Sequence, residues 1–124
     1  MDTVMMNSSS NNPLVTIITI VFNNVTTIRN AVQSVAYQDY DNIEHIVIDN
    51  CSNDETIQVI KEWQNVIPSL ELIRNNANLG IEGNLILGSV CSQSEYTWML
   101  SDHQRLRKGV LYELIELLES DKPD

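Results

Sequence analysis

The sequence is poor in basic residues. Its 124 residues include seven Lys and Arg against 17 Asp and Glu, which gives a formal net charge of −10. Proteins that bind a nucleic-acid backbone draw most of their affinity from neutralising phosphates with cations. The charge balance therefore argues against nucleic acid and anionic lipid as primary partners. It still allows a nucleotide ligand, because backbone N–H groups or a bridging divalent cation can hold a diphosphate.

Long apolar runs and cysteines are also scarce. The longest run, Val15–Phe22, contains two threonines and is far shorter than the roughly 20 residues of a membrane-spanning helix. Cys51 and Cys91 form no CxxC or Cys/His pair at zinc spacing, and two thiols make no disulfide framework. We interpret both as reduced structural thiols. We expect a cytoplasmic protein that is at most peripheral at the inner face of the membrane.

The first twelve residues are polar and rich in Ser and Asn, without the basic and apolar segments of a signal peptide. We expect residues 1–12 to be a disordered leader. Residues 13–124 are expected to form one domain, because a chain of this length ordinarily folds as a single unit.

Four apolar, β-branched runs alternate with four segments of helical period. The first run, Leu14–Val21, has no polar face, which is typical of a central parallel strand covered on both sides. The predicted strands are Leu14–Val21, Ile43–Asp49, Leu70–Arg74 and Glu95–Leu100, and the predicted helices are Thr26–Ala36, Glu55–Val66, Ile81–Cys91 and Gly109–Ser120. The βαβαβαβα order predicts an α/β fold, a mainly parallel sheet with helices on both faces.

Single residues of the predicted helices also have expected roles. Asn24 or Thr26 can cap the start of the first helix. Four residues of the third helix are expected to face partly inward: Leu85, Ile86, Leu87 and Val90. The fourth helix has a wide apolar stripe, formed by Val110, Leu111, Leu114, Ile115, Leu117 and Leu118.

Polar clusters follow the predicted strands. They are Phe22-Asn23-Asn24, Asp49-Asn50, Asn75–Gly80 and Ser101-Asp102-His103-Gln104. Because the carboxyl ends of parallel strands share one edge of the sheet, and ligands of such sheets bind there, these segments should meet. The sequence therefore predicts a cleft lined by Asn amides, carboxylates and an imidazole.

Four segments carry a family resemblance. LVTIITIVFNN, IEHIVIDNCSNDET, NANLGIEGN and YTWMLSDHQRL, in this order and spacing, resemble the family 2 glycosyltransferases of the GT-A fold, from Leu14 to about Leu118. The resemblance implies a Rossmann-like GT-A domain that transfers a sugar from a nucleotide diphosphate sugar to a saccharide or lipid-linked acceptor, as in bacterial polysaccharide biosynthesis. Many members of the family require Mg²⁺ or Mn²⁺.

Members of that family continue well beyond the last residue of this sequence. We therefore expect the chain to be the donor-binding half, truncated before the acceptor half and inactive by itself. The resemblance places the general base in the missing half, so no catalytic base is nominated. Without that half, an exposed apolar face could support a homodimer.

The resemblance also implies a set of nucleotide contacts. They are Val21, Phe22, Asn23, Asp49, Asn50, Gly80, Asn84 and Asp102. Phe22 is expected to stack on the base, unless it only closes the core of its strand. Asn50 stands where the family has a uracil-reading acidic residue, and its carbonyl can accept the uracil N3–H. The alternatives are that Asp49 orients the following loop and that Asn50 forms a turn.

The end of the fourth strand departs from the family pattern. An Asp-x-Asp motif binds the metal in that family, whereas here Asp102 is the single carboxylate and His103 follows it. An imidazole nitrogen suits Mn²⁺ or Zn²⁺ better than Mg²⁺, so we expect Asp102 and His103 to bind Mn²⁺ in preference. Alternatively, His103 binds phosphate as a cation, or it is a loop residue of a member that has lost activity.

Other interpretations stay open beside these. Arg105, Arg107 and Lys108 are either a patch close to the diphosphate or solvated loop charges. His45 is interpreted as a structural histidine of the second strand. The chain could also be a non-catalytic nucleotide-binding or scaffold domain. A receiver domain is disfavoured because Asn23-Asn24 stand where an acidic pair is needed, and a dinucleotide oxidoreductase because no G-x-G-x-x-G follows a strand.

Overall fold

The computed structural model describes residues 12–120. The expected disordered leader, residues 1–12, therefore lies outside the described residues except for Asn12. The strands are β1 (Val15–Val21), β2 (Ile43–Asp49), β3 (Leu70–Arg74) and β4 (Tyr96–Met99), and the helices are α1 (Val25–Ala36), α2 (Thr56–Gln64), α3 (Gly80–Cys91) and α4 (Val110–Ser120). The predicted alternation of strands and helices is confirmed.

The four strands form one parallel sheet in the order β3-β2-β1-β4. The chain moves from β1 to β2 to β3 on one side and then crosses to place β4 on the other side of β1. The gap between the ends of β1 and β4 is therefore the topological switch point, where ligands of open α/β sheets bind. Pairing of β4 with β1 ends at Ile18↔Met99, and the Leu100 N–H donates to the Ile18 carbonyl at 2.9 Å.

Helices cover both faces of the sheet, as the sequence predicts. Residues of α1, α2 and α4 pack on one face of the sheet. There Ile17 of β1 lies in one core cluster with Ala31 of α1 and Leu111 of α4. Only α3, among the described helices, packs on the other face, through Leu87 against Ile18. The absence of a polar side in β1 thus follows from burial of the strand on both faces.

Two predictions about helix orientation are wrong. Ile86 and Val90 were expected to face partly inward from α3, but they are 66% and 75% exposed. The helix contacts the sheet through Asn84 and Gly88, both buried. In α4, Leu117 is likewise exposed. Apolar residues occur on all sides of α3, so their spacing alone did not identify the inner face.

The remaining structural expectations concern single residues. His45 is buried within β2, consistent with its interpretation as a core residue. Cys51 and Cys91 are free thiols, each partly buried. Within residues 12–120, no helix combines the length and apolarity needed to cross a membrane.

Candidate functional site

A side-chain contact joins the two strand ends at the switch point. Asn24 follows β1, and its Nδ2 donates to Oδ2 of Asp102, after β4, at 3.0 Å. The Asn24 N–H donates to Oγ1 of Thr56 at 3.1 Å, which fixes the backbone from the opposite side. The sequence suggested Asn24 or Thr26 as the cap of α1, but the Asn24 side chain makes no capping bond. The side-chain amide of Asn24 donates to the Asp102 carboxylate instead.

Asp102 and His103 lie side by side in a short turn. His103 Nδ1 is 3.3 Å from Asp102 Oδ1 and 2.8 Å from Ser101 Oγ, and the Ser101 N–H donates to Oε1 of Gln104 at 2.9 Å. The Asp102 side chain is 18% exposed, whereas that of His103 is 70% exposed. The carboxylate is therefore held by its neighbours, and the imidazole is open to solvent.

The loop after β1 is tied to the loop after β2 through Asn23. Asn23 adopts a left-handed backbone conformation with φ of +47°, which asparagine tolerates better than most residues. Its N–H donates to Oγ of Ser52 at 2.8 Å, and its Oδ1 accepts the Asn53 N–H at 2.9 Å. The Val21 carbonyl accepts the Asn50 N–H at 2.8 Å, while the Phe22 ring is 48% exposed and free to meet a ligand.

Asp49 is completely buried at the end of β2. Its Oδ2 accepts the Ser52 N–H at 2.9 Å, the geometry expected of a loop-orienting carboxylate. Its Oδ1 has no hydrogen-bond partner in the described part of the chain. A buried carboxylate oxygen without a donor is uncommon and marks a place where a further polar group would be stabilising.

A network of buried amides connects the end of β2 to the start of α3. Asn50 Oδ1 accepts from the Leu79 N–H at 2.9 Å and from Nδ2 of Asn75 at 3.4 Å. Asn50 Nδ2 donates to Oδ1 of Asn78 at 2.8 Å. Asn75 Nδ2 also donates to Oδ1 of Asn84 at 2.6 Å. Both functional atoms of Asn50 are thus engaged by the protein.

The same network shapes the turn into α3. Gly80 has a φ of +72°, a conformation that side chains other than Asn and Asp rarely adopt. Its N–H donates to Asn78 Oδ1 at 2.8 Å, and its carbonyl accepts from Nδ2 of Asn84 at 2.8 Å. Asn75 and Asn78 were part of a predicted polar loop without individual roles. Because they follow β3 closely in the sequence, their position indicated that they lie at the carboxyl edge of the sheet.

Side-chain contacts join residues of the predicted polar clusters into two groups at the carboxyl edge of the sheet. One group is Asn24 with Asp102 and His103 at the switch point, and the other is the amide network around Asn50. The basic residues Arg105, Arg107 and Lys108 lie farther along α1. The Leu106 N–H donates to Oγ of Ser34, nine residues after the first residue of α1. At a rise of about 1.5 Å per residue, this point is roughly 14 Å along the helix from its start.

Metal ligands are few at this edge. Within residues 12–120, no group of three or more His, Cys, Asp or Glu side chains is placed to hold an ion. Asp102 Oδ1 and His103 Nδ1 are 3.3 Å apart, close to the roughly 3 Å between neighbouring ligands at about 2.1 Å in an octahedral shell. At this separation both atoms could ligate one cation, and its other ligands would have to be phosphate oxygens and water.

Comparison with known proteins places this architecture in the GT-A class of glycosyltransferase domains. Mannosyltransferase PcManGT from Pyrobaculum calidifontis, in complex with GDP-Man and Mn²⁺, has the same fold with a TM-score of 0.83 at 21% identity, over 93% of this chain and 34% of that one. Staphylococcus aureus TarS 1–349 in complex with UDP-GlcNAc superposes with a TM-score of 0.81 at 20% identity, over 86% of this chain and 31% of that one.

The chain belongs to glycosyl transferase family 2, whose sequence profile matches residues 16–124. A curated relative, the GalNAc(5)-diNAcBac-PP-undecaprenol beta-1,3-glucosyltransferase of Campylobacter jejuni, is 29% identical over 105 residues, which cover 84% of this chain and 34% of that protein. The chain spans about a third of the length of the curated relatives it matches. Family membership confirms the resemblance seen in the sequence and does not favour the scaffold alternative.

Proposed function

We propose that this chain is the donor-binding part of a glycosyltransferase that transfers a sugar from a nucleotide diphosphate sugar to an acceptor hydroxyl. The observation that carries the proposal is the meeting of Asn24, Asp102 and His103 at the β1–β4 switch point, where a diphosphate would lie. The catalytic base is assigned to no residue of this chain.

The base and ribose of the donor would lie along the ends of β1 and β2. There the exposed Phe22 ring offers a stacking surface beside Val21 and Asn23. Asp49, Gly80 and Asn84 would support this surface from below. Recognition of a base edge by Asn50 stays a prediction, and it requires Asn50 to exchange one of its bonds to Leu79, Asn75 or Asn78 for the ligand.

The diphosphate would lie against Asp102 and His103. These side chains would hold a divalent cation, Mn²⁺ in preference to Mg²⁺ because of the imidazole nitrogen. When bound, such an ion neutralises charge that develops on the leaving diphosphate. Asn24 would keep the Asp102 carboxylate oriented through its hydrogen bond to Oδ2.

The acceptor would be a saccharide, and more specifically a lipid-linked one. The name of the Campylobacter jejuni relative, whose acceptor is linked to undecaprenol, supports this proposal. It would place the protein in the cytoplasm, in peripheral contact with the inner face of the membrane. The exposed apolar side chains of α3, including Ile86 and Val90, are the surface on which the expected homodimer would form.

Asp102→Ala should weaken Mn²⁺-dependent nucleotide binding at least tenfold, about 1.4 kcal/mol, because it removes the carboxylate that faces the diphosphate. The measurement is calorimetric titration of the 124-residue chain with UDP, GDP and dTDP, each with and without Mn²⁺ and Mg²⁺. We expect saturable binding of one nucleotide, tightened more by Mn²⁺. Asp39→Ala, an exposed carboxylate in the loop between α1 and β2, is the matched control. Absence of binding under every condition, or equal affinity in Asp102→Ala, would refute the donor site.

Asn24→Ala should weaken the same Mn²⁺-dependent binding about threefold to tenfold, because the freed carboxylate of Asp102 must be ordered when the ligand binds. Binding without metal should change less. Asn53→Ala serves as the control, since this neighbouring exposed asparagine contributes its backbone N–H to the loop contact. If Asn24→Ala and Asn53→Ala bind the nucleotide equally well, Asn24 has no positioning role.

A further inference from the structure

A basic segment lies along α1, away from the carboxyl ends of the strands. This segment is Arg105–Lys108, and its backbone is fixed at two points. The Leu106 N–H donates to Oγ of Ser34 at 3.0 Å, and Gln38 Nε2 donates to the Arg107 carbonyl at 3.0 Å. Leu106 and Gln38 are themselves buried. The cationic side chains therefore project from a fixed support rather than from a loose loop.

The segment and α1 form the walls of an open groove of about 490 Å³. Arg105, Arg107 and Lys108 line one wall, and Asn30, Gln33 and Tyr37 of α1 and its C-terminal turn line the other. The described residues that line the groove include three of the seven Lys and Arg of the chain and none of its 17 Asp and Glu. The groove is thus lined by basic residues, although the protein as a whole is acidic.

Two of these three cations are available to a ligand. Arg107 forms a bidentate pair with Glu113, with both N–O distances at 2.9 Å, and hydrogen bonding to Arg107 lowers the pKa of Glu113. Arg105 and Lys108 are exposed, and neither forms an ion pair within residues 12–120. The Ser34 carbonyl, near the negative end of α1, accepts from Gln38 Nε2 and is thereby partly screened from an anion.

The net charge of −10 does not prevent anion binding here. Charges further than about 8 Å away are largely screened at physiological ionic strength, so the nearest side chains dominate the potential in the groove. An Arg guanidinium and a Lys ammonium beside amide and hydroxyl donors suit the tetrahedral oxygens of a phosphate.

We propose that the groove between α1 and Arg105–Lys108 binds a phosphate-bearing group, at a site separate from the candidate donor edge. The bound group is either a soluble phosphate compound or the phosphate of a lipid headgroup, since both offer the same oxygens. The proposal does not depend on the proposed transferase function, because neither Asp102 nor a divalent metal takes part in it.

The test is titration of the ¹⁵N-labelled 124-residue chain with inorganic pyrophosphate in the presence of EDTA, followed by amide chemical shifts. We expect saturable shifts at residues 30–38 and 105–111, with little change at residues 22–24 and 102–103. The Arg105→Gln/Lys108→Gln double variant should raise the Kd at least fivefold. Lys61→Gln, which removes an exposed cation of α2, should leave the Kd within twofold.

A flotation assay with phosphatidylglycerol and phosphatidylcholine vesicles distinguishes the two sources. Saturable binding of pyrophosphate indicates a soluble ligand, and binding to phosphatidylglycerol but not phosphatidylcholine vesicles indicates a lipid headgroup. Either kind of binding supports the proposal when the Arg105→Gln/Lys108→Gln variant loses that binding and Lys61→Gln retains it. Binding of neither probe, or equal binding by the double variant, would overturn the proposal.

Discussion

His45→Gln should remove a large part of the acid sensitivity of this protein. In the wild-type chain the free energy of unfolding should fall by up to about 1.4 kcal/mol per pH unit below pH 6.5 on account of His45 alone, or about 3 kcal/mol by pH 4.5. The variant should lack this contribution. Its unfolding free energy should therefore depend much less on pH between about 3 and 6.5.

The structural cause is the burial of an imidazole in the central sheet. His45 is 2% exposed, and its Nε2 lies 2.9 Å from Oγ1 of Thr19 on the adjacent strand. His45 lines a small cavity of about 120 Å³ together with Tyr40 and Asp41. The Asp41 carboxylate accepts a hydrogen bond from Nδ2 of Asn12. Burial penalises the imidazolium and lowers the pKa of His45 to about 3.

The direction of the effect follows from proton binding. Between pH 3 and 6.5 the unfolded chain, with its His45 pKa near 6.5, binds a proton that the folded chain does not. Stability therefore rises with pH across this window, and the contribution of the neutral imidazole is complete above pH 6.5. It is lost progressively as the pH falls toward 3.

Urea unfolding at half-unit pH intervals from 4 to 8 would measure this dependence. Glutamine is chosen because its amide can still hydrogen-bond to Thr19 but does not titrate. His103→Gln is the matched control, since it makes the same substitution at a histidine whose side chain is 70% exposed. Parallel pH curves for wild type and His45→Gln would show that His45 does not carry the acid sensitivity.

Gly88→Leu should destabilise the fold by about 3 kcal/mol, near the upper end of the usual cost of overpacking. A Cβ at position 88 would lie 2.9 Å from Cδ1 and 3.0 Å from Cγ2 of Ile18, and 3.4 Å from Cδ1 of Ile48. Ile18 and Ile48 are fully buried, so neither can move aside without disturbing the sheet. The helix propensity gained by replacing glycine, about 1 kcal/mol, offsets only part of this cost.

The effect can be measured by urea unfolding at pH 7.5 beside Ser89→Leu. That control adds the same side chain to the exposed side of α3, one residue along, and should change the free energy of unfolding by less than about 0.5 kcal/mol. Equal stabilities of the two variants would mean that α3 is not seated on β1 and β2 through Gly88.

Much of the fold could be predicted from local patterns. LVTIITIV predicted a strand buried on both faces, and β1 lies between β2 and β4 with helices on each side. IEHIVID predicted β2 with the bounds observed, Ile43–Asp49. These predictions were possible because a strand or helix that is buried on one or two faces has apolar residues at a matching spacing in the sequence.

The contacts within the candidate site could not be predicted in the same way. Asn24 and Asp102 are 78 positions apart, and nothing in their spacing indicates that they touch. They meet because β4 pairs with β1 rather than with β3. The capping role expected of Asn24 or Thr26 is a local interaction, and the longer-range bond to Asp102 replaces it for Asn24.

The basic segment shows the same limit. Its nearness to Asp102 in the sequence suggested a patch beside the diphosphate. Its backbone hydrogen bonds with Ser34 and Gln38 hold it along α1, where it lines a groove. The sequence also could not predict which side of α3 faces the sheet, because a helix with apolar residues on every side shows no preferred face. The fit of Gly88 against Ile18 decides it.

The amino-acid sequence alone determined the order of strands and helices, the parallel sheet, the family resemblance and the edge at which the polar residues collect. Each of these depends on hydrophobic periodicity or on motifs a few residues long. The partners of Asn24, the engagement of both Asn50 amide atoms, the inner face of α3 and the position of Arg105–Lys108 were decided by tertiary structure. They depend on packing between segments distant in the chain, and local pattern carries no information about which of those segments become neighbours.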